Sequence, residues 1–345
     1  MEIRDAIAHL LERRDLSRAE MRTVFAAVMS GGATDTQIGA LLVALRMKGE
    51  TVEEIAGAVE LMRELALPVN VSGKHLVDIV GTGGDGSSLF NVSTASSFVV
   101  AAAGGQVAKH GNRAVSSKSG AADLLEAAGV RLDMTPAEVE RCVREIGVGF
   151  MFAVNHHTAM KFAVGPRREL GVRTIFNLLG PLANPAGVKK MLLGVYSQAW
   201  LRPVAEVMKV LGAEHVLVVH SEDGLDEISI AAPTDVAELH NGDIREYRIQ
   251  PEDFGLQRAS LDSLVVKDAG ESLALIRKAL GNDSQAEAAS DIVTLNAGAA
   301  LYAADVASSL AQGVALAQDA ICSGLAGEKM VELADFTRLM RPEEA

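Results

Sequence analysis

The chain is short of cysteine, of positive charge and of long apolar runs, and each shortage removes a class of function. Its two cysteines, Cys142 and Cys322, fall in predicted helices far apart in sequence, which leaves no disulfide framework and makes a reducing compartment the default. Neither reads as a nucleophile. Lys and Arg number 32 against 45 Asp and Glu, a net charge of -13, so nonspecific attachment to nucleic acid or to an acidic membrane lacks the cations it needs. No run approaches membrane-spanning length, and the opening MEIRDAIAHLLERRD is charged from its second residue, without the apolar core of a signal peptide. A cytoplasmic protein is expected. Repeats and low-complexity tracts are absent too, so all 345 residues are expected to fold, as two subdomains rather than one core.

What is present centres on residues 75–97, HLVDIVGTGGDGSSLFNVSTASS. A short apolar run bounded by glycine reads as a buried strand, and a small-residue helix opens near Asn91. Glycines let backbone N–H groups approach a ligand, and a helix start adds unpaired donors and partial positive charge, so the loop reads either as an anion cradle or as a tight turn. Gly81, Gly83 and Gly86 satisfy GxGxxG, but the next strand ends on Lys109 where a dinucleotide fold wants an acid for the ribose. Ser87 stands where a P-loop demands lysine.

Charge is unevenly spread. No carboxylate lies between Asp85 and Asp123, a window containing Lys109, Arg113 and Lys118, and between Glu145 and Glu206 the only acid is Glu169. An acidic protein thus keeps basic clefts for an anion. The loop after the strand ending at Lys109 is a second anion-ready candidate, with Lys109, Arg113, Ser116, Ser117 and Lys118 as donors and a helix from about Ser119 to Ala128 behind it.

Residues 1–68 read as helices only, with capping boxes at Ser17/Glu20, Thr34/Gln37 and Thr51/Glu54. Ile38, Leu41, Leu42 and Leu45 recur at helical spacing, more apolar surface than so small a unit buries alone, so either another subunit or the rest of the chain covers it. From Lys74 strand, loop and helix repeat, through KKMLLGVYS, AWLRPVAEVMKVLG and HVLVVHS, which predicts an α/β fold with a largely parallel sheet flanked by helices. Between these runs, Pro166, Pro181 and Pro185 are expected to break residues 158–187 into short helices, a segment that would rejoin the N-terminal layer. His156 and His157 lack a third metal ligand at usable spacing and read as one exposed and one satisfied histidine. Asp223, Asp226 and Glu227 gather at a predicted strand end, the edge where α/β sheets bind ligands: hard oxygen donors for Mg²⁺ shared with a phosphate, or an acidic surface turn. Residues 231–267 read as antiparallel strands with a hairpin turn at Asn241 and Gly242, and the remainder as helix.

With GTGGDG, NVST, KHGNRAVSS, NHH, PRRELGVRTIFNLLGPLANPAG, DGLDE and LNAGAALY in this order, the sequence resembles the anthranilate phosphoribosyltransferases over nearly its full length. The resemblance implies a nucleoside phosphorylase/phosphoribosyltransferase-like fold, with a smaller all-helical domain at 1–68, completed by part of 155–188 and used for dimerisation, and an α/β domain at 69–345. It implies a homodimer with the active site at the hinge, transferring the phosphoribosyl group of 5-phosphoribosyl 1-diphosphate to anthranilate with Mg²⁺, in tryptophan biosynthesis, with neither nucleic acid nor membrane as partner.

Carried over by residue, the resemblance assigns the phosphorylated sugar to Gly81, Gly84, Asp85, Asn91, Val92, Ser93 and Thr94, to Lys109, His110, Gly111, Asn112, Arg113, Ala114, Val115, Ser116 and Ser117, and to Ala121. It assigns anthranilate to Gly81, Asn112 and Arg167, with His110 and His157 lining the same channel, and magnesium to Ser93, Asp226 and Glu227. No residue is assigned as a covalent nucleophile. Leu89 departs from the family where many members carry a hydroxyl facing the diphosphate, so that contact is lost or taken by Ser88; Val154 and Thr158 replace residues that are often proline. Other readings are a pyrimidine nucleoside phosphorylase-like enzyme, from which NPAG and DGLDE point away, and a nucleic-acid-binding relative without catalysis, opposed by the acidic balance. A nicotinamide-dependent dehydrogenase is weakest, for want of the ribose carboxylate.

Overall fold

The computed structural model describes residues 1–114 and 118–340. Four helices come first, α1 (Ile3–Leu11), α2 (Arg18–Met29), α3 (Asp35–Lys48) and α4 (Val52–Leu65). The capping boxes at Ser17/Glu20, Thr34/Gln37 and Thr51/Glu54 all form, each satisfying orphan N–H groups at a helix start for about 1 kcal/mol. The α/β part follows as β1 (Leu76–Gly81), α5 (Val92–Ala102), β2 (Gln106–Gly111), α6 (Ala121–Ala127), α7 (Pro136–Ile146) and β3 (Val148–Phe152). Helices α8 (Ala153–His156), α9 (Lys161–Leu170) and α10 (Phe176–Leu182) lead to β4 (Lys190–Gly194), α11 (Leu201–Val210) and β5 (His215–Ser221). The hairpin β6 (Thr234–His240) and β7 (Asp243–Ile249) and the helices α12 (Ala269–Leu280), α13 (Glu287–Ala303), α14 (Leu310–Cys322) and α15 (Leu325–Leu339) complete the chain.

The strands form one seven-stranded sheet in the order β3-β2-β1-β4-β5-β6-β7, parallel from β3 to β5 and antiparallel beyond. Both faces are covered, which is why β5 reads as an unbroken apolar run: Leu217 and Val219 enter one core with α5, α13 and the C-terminal helices, while Val216 and Val218 enter the other. That second core also contains the buried faces of α1–α4, of α9–α10 and of α11. Ile38, Leu41, Leu42 and Leu45 are buried in it, so the rest of the chain takes up this apolar surface, leaving Val43 and Met47 exposed one helical turn apart on α3.

Two sequence expectations change. Pro166 lies inside α9 and Pro181 inside α10, so neither breaks its helix. The break falls instead at Gly171, whose φ of 60° lets the chain turn left-handed after α9. The turn at Asn241 and Gly242 has the positive φ values, 52° and 82°, of a tight hairpin, but strand ends at Ile249 and the chain to residue 267 passes through two short 3-10 helices, Pro251–Phe254 and Leu261–Leu264. A buried Cys142 and an exposed Cys322 are both free.

Candidate active site

The strand order reverses between β1 and β4, so the loops leaving their carboxyl ends diverge and open a crevice, the usual ligand position in such sheets. Asp226 crosses this crevice. A Cβ at Gly81 would overlap its carboxylate and one at Gly194 its carbonyl, so both strand ends require glycine. The Gly83 N–H donates to Asp226 Oδ2 at 2.6 Å, and Gly83 and Gly84 turn with φ of 66° and 79°. Arg173 holds the loop from outside: its guanidinium donates to the Gly84 carbonyl at 2.6 Å and lies over Tyr196, 4.5 Å from the ring centre. The Asp85 carboxylate accepts from Ser87 Oγ at 2.7 Å and from the Ser87 N–H, shaping its own turn. Leu89 is bridged to Val265, with Ser88 O accepting from Val266, so the hydroxyl-to-leucine departure sits in a backbone-paired segment.

Asn91 does not cap α5 with its side chain. Its Oδ1 accepts from Ser119 Oγ (2.7 Å) and Ser272 Oγ (2.8 Å), and its Nδ2 donates to the Ser119 carbonyl (3.0 Å), tying the glycine loop to the start of α6 and to α12. The start of α5 is thereby left to other partners: the Ser93 N–H donates to Glu227, and Thr94 Oγ1 is buried with no partner among the described residues. Val92 is buried beneath.

Lys109 runs along the floor. Its Nζ donates to the Ile79 carbonyl at 2.6 Å and to Ser93 Oγ at 3.3 Å, and it is buried among Asp78 and Glu227. Burial lowers the ammonium pKa while Asp78 and Glu227 oppose that. Burial pushes Asp78 up to about 6 despite Lys109 and the 2.7 Å hydrogen bond from Asn184. Asp226 is raised to about 6 by burial and by Asp85; Glu227 rises further, through burial and Asp226, with Lys109 opposing. Carboxylates that raise one another in a buried crevice form a site short of positive charge, and their hard oxygens suit Mg²⁺. Asp223 is used otherwise, accepting from Ser229 Oγ at 2.6 Å to hold its turn.

In the second loop the Arg113 guanidinium pairs with Glu126 (2.7 and 3.0 Å) and Asp123 (3.0 Å) on α6, so what this residue presents inward is backbone. Asp123 Oδ2 also accepts the N–H groups of Ala114 and Gly120, both at 2.9 Å. The Asn112 side chain accepts from the Arg113 N–H and its carbonyl from Ala122, while Ala121 lies against Gly111. Val115, Ser116 and Ser117 lie outside the described residues.

Both histidines of the pair are buried, which corrects the expectation of one exposed ring. His156 Nδ1 meets the Leu67 carbonyl at 2.8 Å and its own carbonyl accepts from Leu67, a strap to the end of the N-terminal helices. His157 packs against His110, ring centres 5.1 Å apart, and the Nε2 atoms of both are buried without a partner among the described residues. Burial and mutual proximity hold His110 near pKa 3, and burial with His156 holds His157 near 4, so both are neutral at pH 7. Arg167 lies over Phe176, 4.9 Å from the ring centre, and its pKa is lowered by burial, with no carboxylate bound to it among the described residues. Arg168, Val154 and Thr158 are exposed. Asp78, Asn184 and Arg173 are the site-shaping residues that sequence reasoning passed over; their signals were a lone acid within an apolar strand and polar residues at kinks of the proline-rich segment.

Residues 4–66 match the helical bundle domain, and residues 73–327 the a/b domain, of the glycosyl transferase family, which sets the class of the protein as an enzyme of glycosyl transfer. Anthranilate phosphoribosyltransferases from Cellvibrio japonicus and Stutzerimonas stutzeri are 62% and 61% identical to it, each over 99% of this chain and over 100% and 99% of their own. The solved structure of the enzyme of that name from Thermus thermophilus superposes with a TM-score of 0.91 at 45% identity, covering 97% of this chain and 99% of its own. That from Saccharomyces cerevisiae, in complex with PRPP and Mg, gives 0.90 at 25% identity over 98% of each chain. The chain belongs to the anthranilate phosphoribosyltransferase family. No helix among the described residues is long and apolar enough to cross a membrane.

Proposed function

We propose that this protein transfers the phosphoribosyl group of 5-phosphoribosyl 1-diphosphate to the amine of anthranilate, releasing diphosphate and N-(5-phosphoribosyl)anthranilate, a step of tryptophan biosynthesis in the cytoplasm. The observation that carries the proposal is the buried Asp226–Glu227 pair drawn over the glycine loop with Lys109 beneath it, a charge set that a metal–diphosphate completes. Gly81, Gly84, Asp85 and the start of α5 from Asn91 to Thr94 would receive the phosphorylated sugar from one side, and the backbone from Lys109 to Ala114 with the Ala121 helix start from the other; Val115, Ser116 and Ser117 are proposed for the same substrate. The Thr94 hydroxyl, without a partner among the described residues, is one group that a phosphate oxygen would satisfy.

Mg²⁺ held by Ser93, Asp226 and Glu227 would neutralise charge on the diphosphate as it departs. Displacement at an anomeric carbon passes through an oxocarbenium-like state and needs no protein nucleophile, so the residues' tasks are electrostatic and positional. Lys109, fixed by the Ile79 carbonyl and Ser93, contributes a cation that does not need to reorganise when negative charge develops. For the acceptor, Arg167 supplies a planar fork matched to a carboxylate, and with no acid bound to it among the described residues that fork stays available. Gly81, Asn112 and the neutral His110 and His157 complete the channel: imidazoles without charge leave the incoming amine undisturbed and offer Nε2 atoms that have no partner among the described residues. A homodimer through residues 1–68 is part of the proposal, its support now the exposed Val43–Met47 face and Leu11 rather than the buried α3 positions. Mixing the purified chain with 5-phosphoribosyl 1-diphosphate, Mg²⁺ and anthranilate tests the reading: anthranilate fluorescence should fall with time, and a constant signal rejects it.

A further inference from the structure

At the opposite ends of the strands from the glycine loop, a second group of ligating side chains has no part in the chemistry above. His215 opens β5 and His240 ends β6; they are direct cross-strand partners, their rings stacked 4.1 Å apart. Glu238, two residues before His240, shares their face of the sheet. His215 Nε2 is 3.3 Å and His240 Nδ1 3.9 Å from Glu238 Oε1, and one ligand atom from each of the three residues lies within 4.8 Å of the others. We propose that His215, Glu238 and His240 form a second metal site, for a transition-metal cation of the Zn²⁺ class, distinct from the all-oxygen site at Asp226 and Glu227.

The surroundings are those of a metal-binding histidine. His215 Nδ1 lies 3.0 Å from Asp305 Oδ1, and Lys190 Nζ fixes that carboxylate from its other oxygen at 2.6 Å. With Nδ1–H given to Asp305, a neutral His215 turns the Nε2 lone pair toward an anionic oxygen, and a proton or a metal ion has to lie between them. Tyr302 steadies Glu238, its hydroxyl donating to Oε1 at 2.8 Å. Imidazole nitrogen selects Zn²⁺, Co²⁺, Ni²⁺ or Cu²⁺ over Mg²⁺.

Bonds of about 2.0 to 2.1 Å in a tetrahedron put ligand atoms roughly 3.4 Å apart, so His215 and Glu238 are already spaced for the ion and His240 must come closer. Parallel rings cannot aim both in-plane lone pairs at one point, so the His240 ring also tilts; it is a third exposed and ends its strand at the Asn241–Gly242 turn, where it has room. A cleft of about 450 Å³ lined by Glu238, Tyr302, Tyr247 and Ser309 reaches the carboxylate of the triad but neither histidine, so an ion would enter on the Glu238 side, with the fourth coordination position left to water or to an added ligand. Arg245 also lines it, its exposed guanidinium 3.7 Å from Glu238 Oε1, and this competing charge swings outward when the ion enters.

The test is titration of the untagged, chelator-stripped full chain with Co²⁺ in excess Mg²⁺, followed by visible absorption. Binding of one Co²⁺ per chain with the intense bands of a tetrahedral site, displaced by Zn²⁺, is the expected result. His240→Ala should abolish those bands, Asp305→Asn should weaken binding roughly 10- to 100-fold, and Arg245→Ala should tighten it. Asp226→Asn should leave the bands intact. Absence of tetrahedral bands, their persistence in a His240→Ala protein whose metal-free melting matches wild type, or their loss in Asp226→Asn overturns the proposal. Should His240→Ala fail to fold, binding unchanged in both Asp305→Asn and Arg245→Ala overturns it equally.

Discussion

Replacing Asp226 with Asn should make the metal-free protein more stable and the enzyme far slower. The carboxyl is buried beside Asp85 and accepts from Gly83, and its pKa is raised from an ordinary 3.8 to about 6, by burial first and Asp85 second. Well below the ordinary value of 3.8 both folded and unfolded chains hold the proton, so the group costs nothing. As pH rises toward 6 the unfolded chain releases it first, so stability falls with rising pH and levels off above the folded pKa. The plateau is about 2 units at 1.36 kcal/mol each, or about 3 kcal/mol, and at pH 5 roughly half of that applies. Asparagine removes the charge and keeps an oxygen for the Gly83 N–H. At roughly 2 cal/mol/K of unfolding entropy per residue, 3 kcal/mol in a chain of 345 residues is roughly 4 °C of melting temperature. Melting curves at pH 8 and pH 5 without Mg²⁺ or substrate should show the gain at pH 8 and about half of it at pH 5, while turnover drops about a hundredfold or more. Equal destabilisation at both pH values, or wild-type turnover, would refute the reasoning.

Arg167→Ala should raise the KM for anthranilate roughly 10- to 100-fold, the loss of a charged hydrogen bond of about 1.5 to 3 kcal/mol, and leave that for 5-phosphoribosyl 1-diphosphate nearly unchanged; Arg167→Lys should rescue only part in the same steady-state assay. Lys109→Met leaves Asp78 and Glu227 buried without their cation and should cost about 3 to 5 kcal/mol in denaturant unfolding, whereas Arg113→Ala, removing an exposed ion-pair cluster, should change stability and sugar-substrate KM much less. Because His110 and His157 are held near pKa 3 and 4, anthranilate binding measured from pH 6 to 8 should show no titration from them, and a histidine-like transition near 6.5 lost in His157→Asn would contradict that assignment. Sedimentation at micromolar concentration should show a dimer, with Met47→Glu shifting it toward monomer; a wild-type monomer removes the dimer from the account.

The elements were legible where a local rule dictated them: capping boxes opened the N-terminal helices, and Asn241–Gly242 made a tight hairpin. The acidic turn stood out because Asp226 and Glu227 follow the last apolar strand, yet its internal division did not, since only the folded turn shows Asp223 spent on Ser229. The acid-free window misled for Arg113. It ends at Asp123, and α6 folds back to bring Asp123 and Glu126 onto the guanidinium, a contact made by three-dimensional proximity that charge spacing along the chain cannot express. Prolines 166 and 181 read as breaks because propensity treats a helix alone, whereas here packing in the second core carries α9 and α10 through them. Asp78 and Asn184 were invisible as a pair because 106 residues separate them and only the sheet brings them together.

The central claim is a direct displacement at the anomeric carbon by the anthranilate amine, held by charge and position with no covalent enzyme intermediate. It is tested most directly by NMR of one reaction mixture containing the protein, 5-phosphoribosyl 1-diphosphate, Mg²⁺ and anthranilate. The prediction is one diphosphate released for each N-(5-phosphoribosyl)anthranilate formed, with the anomeric configuration inverted. A retained configuration, diphosphate released while anthranilate persists, or no reaction at all would contradict it.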